Sequence, residues 1–254
     1  MATIFNHFSE DKNAFINPSD VIERIPGFPE VCITTFSEGI IRDFTRNNET
    51  RVIAELFSAN GTIPVYEIEY AGKKMGLFLS RVGAPACVTG LEEIIALGAK
   101  KLVQFGCCGV LNQSLAGNKI IIPSSAVRDE GTSYHYVPGS EEINADSTSI
   151  DIAVQCLEKH KIPYVVGKVW TSDAIYRETQ ELIEERKMQG CIAVEMECSA
   201  SLAVAGFRNI PILQFFYGAD NLDSDKWEPR DLTDYGVSCG DKYMAIALEC
   251  GLAF

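Results

Sequence analysis

Two carboxylates, Glu195 and Glu197, flank Met196 in CIAVEMECSA (residues 191 to 200), an otherwise apolar run. A charge in such a run costs several kcal/mol unless it is paired or bonded to a ligand, so one of the two acids is expected to face a polar cleft. A helix start, with its acids near the positive end of the dipole, accounts for the same residues. A third acid, Asp220, ends the apolar run FFYGAD. Burial at a strand edge raises a carboxyl pKa and suits it to general acid work, although an N-cap or Asx-turn accounts for Asp220 equally well. QFGCCGVL (104 to 111) reads as a strand entering a turn of small residues, where glycines let amide N–H groups approach an anion or a sugar. VRDEGTSYHYVP (127 to 138) mixes polar and aromatic side chains as a loop lining a pocket does.

The elements that must position these groups alternate between strand-length apolar runs and helix-length amphipathic segments. VCITTF leads into a helical stretch to about Phe57, PVYEIEY and MGLFLSRV flank the turn AGKK, and a helix runs from about Val88 to Leu97. KLVQFG, NKIIIPSSAV, the helix STSIDIAVQCLEKHK, the strand YVVGKVWTS, the helix RETQELIEERKMQG, AVEMECSASLAVAG and the strand IPILQFFYGA follow. Such alternation predicts an α/β sheet enclosed by helices, with ligands collecting at strand ends. The strand ends at 79 to 84, 105 to 109, 171 to 173 and 217 to 220 each meet small or polar residues. Asp234 through Leu252 reads as a helix whose Tyr243, Met244, Ile246, Ala247 and Leu248 share a core face.

No repeat, low-complexity tract or linker divides the chain, so residues 1 to 254 are expected to form one domain. A net charge of −13 argues against neutralising a phosphate backbone, and no nucleic-acid partner is expected. No stretch approaches the roughly 18 apolar residues of a membrane span, and the N-terminus lacks signal-peptide zones, which predicts a cytoplasmic protein. The nine cysteines show no CxxC, and most read as reduced, buried apolar residues.

Taken in order, FGCCGVL, AVRDEGTSYHYVP, TSDAIYRET and AVEMECSA resemble the nucleoside phosphorylase family of hexameric purine nucleoside phosphorylases, uridine phosphorylases and related nucleosidases. The resemblance covers about Val31 to Cys250. It implies a three-layer α/β/α fold with a mixed central sheet, and a homodimer or a homohexamer built as a trimer of dimers. It further implies that Met196 meets the sugar face, that Glu197 holds the ribose hydroxyls, and that Glu195 bonds the 2′-hydroxyl or supports the site. Ile175 and Tyr176 would face the nucleobase, His7 would reach a neighbour's ribose, and Asp220 would protonate purine N7 as the base leaves. Asp220 thereby favours a purine over uridine, whose phosphorylases lack that acid.

The implied reaction takes a nucleoside and phosphate to free base and (deoxy)ribose 1-phosphate, without metal or organic cofactor. The phosphate site departs from the family. Gly39 stands near one usual arginine position and Gln104 at the other, while Cys107 replaces a Ser or Thr. A phosphate normally clamped by arginines then needs substitutes: Arg81 first, Arg42 as well, with Gly106 and Cys107 from the Gly-rich turn. The alternatives are a uridine phosphorylase, a nucleosidase in which Glu38 positions water, and a nucleoside-binding protein with little catalysis.

Overall fold

Strand β1 (Val31–Thr35) is buried along its whole length, and its side chains divide between two cores. Val31 and Ile33 join one apolar cluster and Cys32 the other, so helices cover both faces, as a near-continuous apolar strand requires. The computed structural model describes residues 4 to 6 and 8 to 254. The remaining strands are β2 (Arg51–Ser58), β3 (Gly61–Tyr70), β4 (Lys73–Leu79), β5 (Lys101–Val110), β6 (Ile120–Asp129), β7 (Glu142–Asn144), β8 (Tyr164–Ser172), β9 (Cys191–Glu195) and β10 (Ile212–Asn221). The helices are α1 (Pro18–Val21), α2 (Glu38–Asn47), α3 (Ala84–Leu97), α4 (Gln113–Ala116), α5 (Ser147–Lys159), α6 (Gln180–Met188), α7 (Cys198–Arg208) and α8 (Gly240–Ala253). Helices α3 and α7 pack in the Cys32 cluster, and α2, α5 and α8 in the Val31 cluster.

The expected mixed sheet between helical layers is present. Its strands run β10-β6-β8-β9-β5-β1-β4-β3-β2, with β7 on β6. β10 also pairs in parallel with β5, so β5, β10, β6, β8 and β9 form a closed ring from which β1, β4, β3 and β2 extend. Closure gathers the C-terminal ends of β5, β8 and β10 around one space, the strand-end position at which α/β folds bind ligands.

Four expectations need correction. The helical stretch ends at Asn47, and residues 51 to 58 form β2, because RVIAELFS pairs antiparallel with β3 and tertiary pairing outweighs its mixed pattern. FGCCGVL is not a turn, since β5 continues to Val110. Helix α6 begins at Gln180, after the cap Thr179, whose side chain accepts from the Leu182 amide. The C-terminal helix starts at Gly240, and the five residues assigned to its core face are all buried. Among the described residues no helix is long and apolar enough to cross a membrane.

Candidate active site

Glu195, Met196 and Glu197 form the link between β9 and α7, where the first amides of a helix need partners. Glu195 supplies them. Its Oε2 accepts from the amides of Glu197 at 2.7 Å and Cys198 at 2.6 Å, and its Oε1 accepts from the Thr171 hydroxyl at 2.5 Å. The Thr171 hydroxyl in turn accepts from the Ser199 amide at 3.0 Å, which completes the helix start. Glu195 thus spends its carboxylate on the fold's own donors, which leaves it little capacity for a ligand. Glu197 is as deeply buried and accepts from the Gly83 amide at 2.5 Å, with the Met196 amide also near its carboxyl. Gly83, at φ 94°, opens α3, and its left-handed backbone aims that N–H. Burial raises both carboxyls, and the nearby Glu195 charge raises Glu197 further. Three donors oppose that rise at Glu195, whereas the Glu195 charge adds to it at Glu197, so of the two carboxyls Glu197 is raised further.

Asp220 is delivered by a different device. The β5–β10 pairing matches Gly218 to Cys108 and Asp220 to Gly109, leaving Ala219 as an extra residue. Such a bulge re-aims a strand's side chains, and here it turns Asp220 toward the cavity. Oδ2 accepts from the Trp227 indole N–H at 2.7 Å, while Oδ1 lies over Gly109. A Cβ at Gly109 would stand 2.5 Å from Leu222 Cδ1, 3.0 Å from Val194 Cγ1 and 3.2 Å from Asp220 Oδ1. The glycine in this part of the motif thus serves close approach rather than a turn. Burial raises the Asp220 carboxyl, and the Trp227 bond partly opposes that rise.

These groups line one cavity of about 660 Å³. Met196, Ile175, Cys107 and Glu38 also face it. Its roof comes from the segment after β10: Leu232, Asp234, Tyr235 and Val237 line it. Tyr217 anchors that segment by donating to the Tyr235 carbonyl at 2.8 Å and stacking on Tyr243 at 3.8 Å.

Other expected ligands stand elsewhere. Arg81 is not on the cavity wall, because its guanidinium donates to the Gly61 carbonyl at 3.2 Å. Arg42 is drawn to Glu38, 2.7 Å away, and to Asp43, one side chain back from the wall. Gly106 lies beneath Phe36, whose Cδ2 would be 2.7 Å from a Cβ there. Tyr176 is 95% exposed and does not line the cavity, since the short 3-10 turn of residues 175 to 177 points only Ile175 inward. His7 lies outside the described residues. VRDEGTSYHYVP lines a second cavity, and its Arg128 is consumed by Ser133, Pro138, Ser140 and the Tyr134 ring.

Both positions at which the resemblance puts an arginine are occupied by other structure. Val237 Cγ2 fills the space of a Cβ on Gly39. Gln104 is fully buried, accepting from Gln214 at 2.6 Å and donating to the Cys87 sulfur at 3.2 Å. Among the described residues no Lys, Arg or His lines the cavity, whereas Glu38, Glu178, Glu195, Glu197, Asp220 and Asp234 do.

Sequence reasoning passed over Glu178 and Trp227. Glu178 falls inside the expected helix RETQELIEERKMQG, whereas α6 starts at Gln180. Read as a cap, Thr179 would have left it outside.

Residues 30 to 240 match the family model described as the phosphorylase superfamily. The chain belongs to that superfamily. Superfamily relatives include a purine nucleoside phosphorylase DeoD-type 2 of Vibrio cholerae, 27% identical over 77% of this chain and 81% of its own length. A guanosine phosphorylase of Halorubrum lacusprofundi is 24% identical over 60% of this chain, which spans 63% of that relative's length. The fold is similar to a uridine phosphorylase of Vibrio fischeri complexed with 6-hydroxy-1-naphthoic acid, with a TM-score of 0.75, 19% identity and coverage of 92% and 98% of the two chains. The superfamily and the mixed α/β fold are thus established for this chain, and its substrate is a separate question.

Proposed function

We propose that this chain cleaves the N-glycosidic bond of a purine nucleoside, with phosphate as co-substrate, giving free base and (deoxy)ribose 1-phosphate. The observation that carries this reading is the presence of Glu197 and Asp220 on one cavity, beside the apolar faces of Met196 and Ile175. As the glycosidic bond lengthens the sugar gains positive charge, which the Glu195 and Glu197 carboxyls on the same wall as Met196 stabilise. Negative charge builds on the departing base, and a raised Asp220 carboxyl relieves it by passing a proton from Oδ1 to N7. Relatives named for purine nucleosides and for guanosine support the choice of base. We assign this chemistry to the cytoplasm and to a homodimer or trimer of dimers. Val82, a cavity residue left 62% exposed, supports a second copy covering the opening.

A second reading, attack by water positioned by Glu38, is favoured by the absence of a cation on the cavity wall among the described residues. The deciding experiment assays a panel of purine and pyrimidine nucleosides with and without phosphate and identifies the sugar product. Phosphate-dependent release of ribose 1-phosphate upholds phosphorolysis. Free ribose at an equal rate without phosphate transfers the reaction to water, and no turnover of any nucleoside overturns both.

A further inference from the structure

Trp227 is not on the cavity wall, yet it holds the acid that the proposed chemistry uses to protonate the base. Its place follows from the backbone. Beyond β10 the chain turns back, and Asn221 and Glu228 exchange two backbone hydrogen bonds of 3.0 and 3.2 Å. The Asn221 side-chain amide also donates to the Glu228 carboxylate at 2.9 Å. The loop between them is tied down by Asp223, which accepts from Lys187 of α6 and from the Gln113 amide of α4. That frame sets the Trp227 indole beside Asp220, where its N–H donates to Oδ2 at 2.7 Å. An indole N–H only donates. Oδ2 is therefore committed as an acceptor, and the proton of a neutral Asp220 sits on Oδ1, the oxygen over Gly109 on the cavity wall. The donor is also neutral. Arg230, the cation whose charge reaches Asp220, is held off by Glu228 and Gln113. A guanidinium paired to Asp220 would keep it ionised at neutral pH with no proton to give, whereas an indole favours the anion by less.

We infer that Trp227 is a positioning residue for proton transfer, confining the proton of Asp220 to Oδ1 and stabilising the carboxylate that remains once N7 has taken it. This rests on the purine reading above. As the glycosidic bond breaks, its electron pair stays with the base, the Oδ1 proton passes to N7, and the new charge on Asp220 meets the indole N–H. The other titratable groups around Asp220 are Cys107 and Cys108 of β5, Glu178 of the loop before α6, and Glu195 and Glu197 of the β9–α7 link. The carboxyls among them disfavour an Asp220 anion. Trp227 supplies the side-chain hydrogen bond that favours it.

The test compares the wild-type protein with Trp227→Phe and Asp220→Asn. Trp227 is 59% exposed, so the fold should tolerate its loss, and thermal unfolding checks this. Without the donor the Asp220 pKa rises. Turnover of inosine at saturating phosphate is expected to fall about tenfold, because the anion left behind is less stable. The alkaline limb of kcat/KM, which marks ionisation of the acid, should move up by about one to two pH units. In unliganded wild-type protein carrying isotope-labelled tryptophan, the indole N–H resonance that is missing from Trp227→Phe should shift as Asp220 ionises. In Asp220→Asn it should stay fixed with pH. A Trp227→Phe variant with the wild-type alkaline limb, or an indole resonance whose pH dependence survives Asp220→Asn, overturns the positioning role and leaves the purine reading intact. A wild-type protein that cleaves no purine nucleoside overturns both.

Discussion

At Glu197 a buried carboxyl meets only backbone amides, those of Gly83 and Met196, so part of its hydrogen-bonding capacity is left for a ligand. Replacing Glu197 by Gln keeps the packing but removes the carboxyl that can ionise as charge develops on the sugar. Turnover is expected to fall about 10²-fold or more, with the melting temperature unchanged or raised, since one preorganised electrostatic contact contributes about that much. Near-normal turnover of the Glu197→Gln variant would take that carboxyl out of the reaction. The acids also set the pH dependence of stability. Glu178 at about 7 and Glu197 toward about 8 hold protons in the folded chain that the unfolded chain has already released near pH 4.5. Folding is therefore favoured most below the ordinary carboxylate range, and that contribution is lost as pH rises through 7 and 8. Unfolding titrations of the unliganded protein between pH 5.5 and 8.5 should show stability falling, with a flatter slope in Glu197→Gln. An identical slope in the two proteins would contradict the protonated carboxyl.

At the scale of elements, the bulge in β10 and the bare backbone of β5 act as one device. Gly109→Ala puts a methyl group against Leu222, Val194 and Asp220 Oδ1. Overpacking of this kind costs about 1–3 kcal/mol of stability, and displacing Asp220 should lower kcat on purine nucleosides more than it raises KM. A variant with lower stability but full kcat would show that Asp220 does not depend on this approach. The strands and most helices could be read from hydrophobic period, and so could the acids of the β9–α7 link, because an apolar run that tolerates Glu195 and Glu197 must answer for them. Asp220 at a strand end was legible for the same reason. What period and spacing do not carry is pairing partner and side-chain direction. Residues 51 to 58 became strand through their partner β3, Tyr176 turned outward beside an inward Ile175, and Arg81 went to the Gly61 carbonyl. The absence of both arginines was visible in the sequence. Its physical form, Val237 filling one position and a buried Gln104–Gln214 pair at the other, depends on segments far apart in the chain.

For the whole molecule, a formal charge of −13 and an acid-lined cavity oppose the approach of an anion. Salt screens long-range repulsion, so kcat/KM for phosphate should rise as ionic strength goes from about 0.02 to 0.2 M, while the value for a neutral nucleoside changes little. A decrease for phosphate would mean that cations outside this cavity wall, such as those of a neighbouring copy, dominate its field.

The two tryptophans of the chain differ in a way that gives the site its own optical readout. Trp170 is fully enclosed in β8 and donates to Asp129, whereas Trp227 is 59% exposed and its indole N–H is bonded to Asp220. Emission from Trp227 therefore depends on whether its partner is charged, neutral or engaged by a base, while Trp170 provides a constant background. A spectral change on adding nucleoside, lost in Trp227→Phe and altered in Asp220→Asn, would follow occupancy of the leaving-group end of the cavity in real time, before any bond is broken.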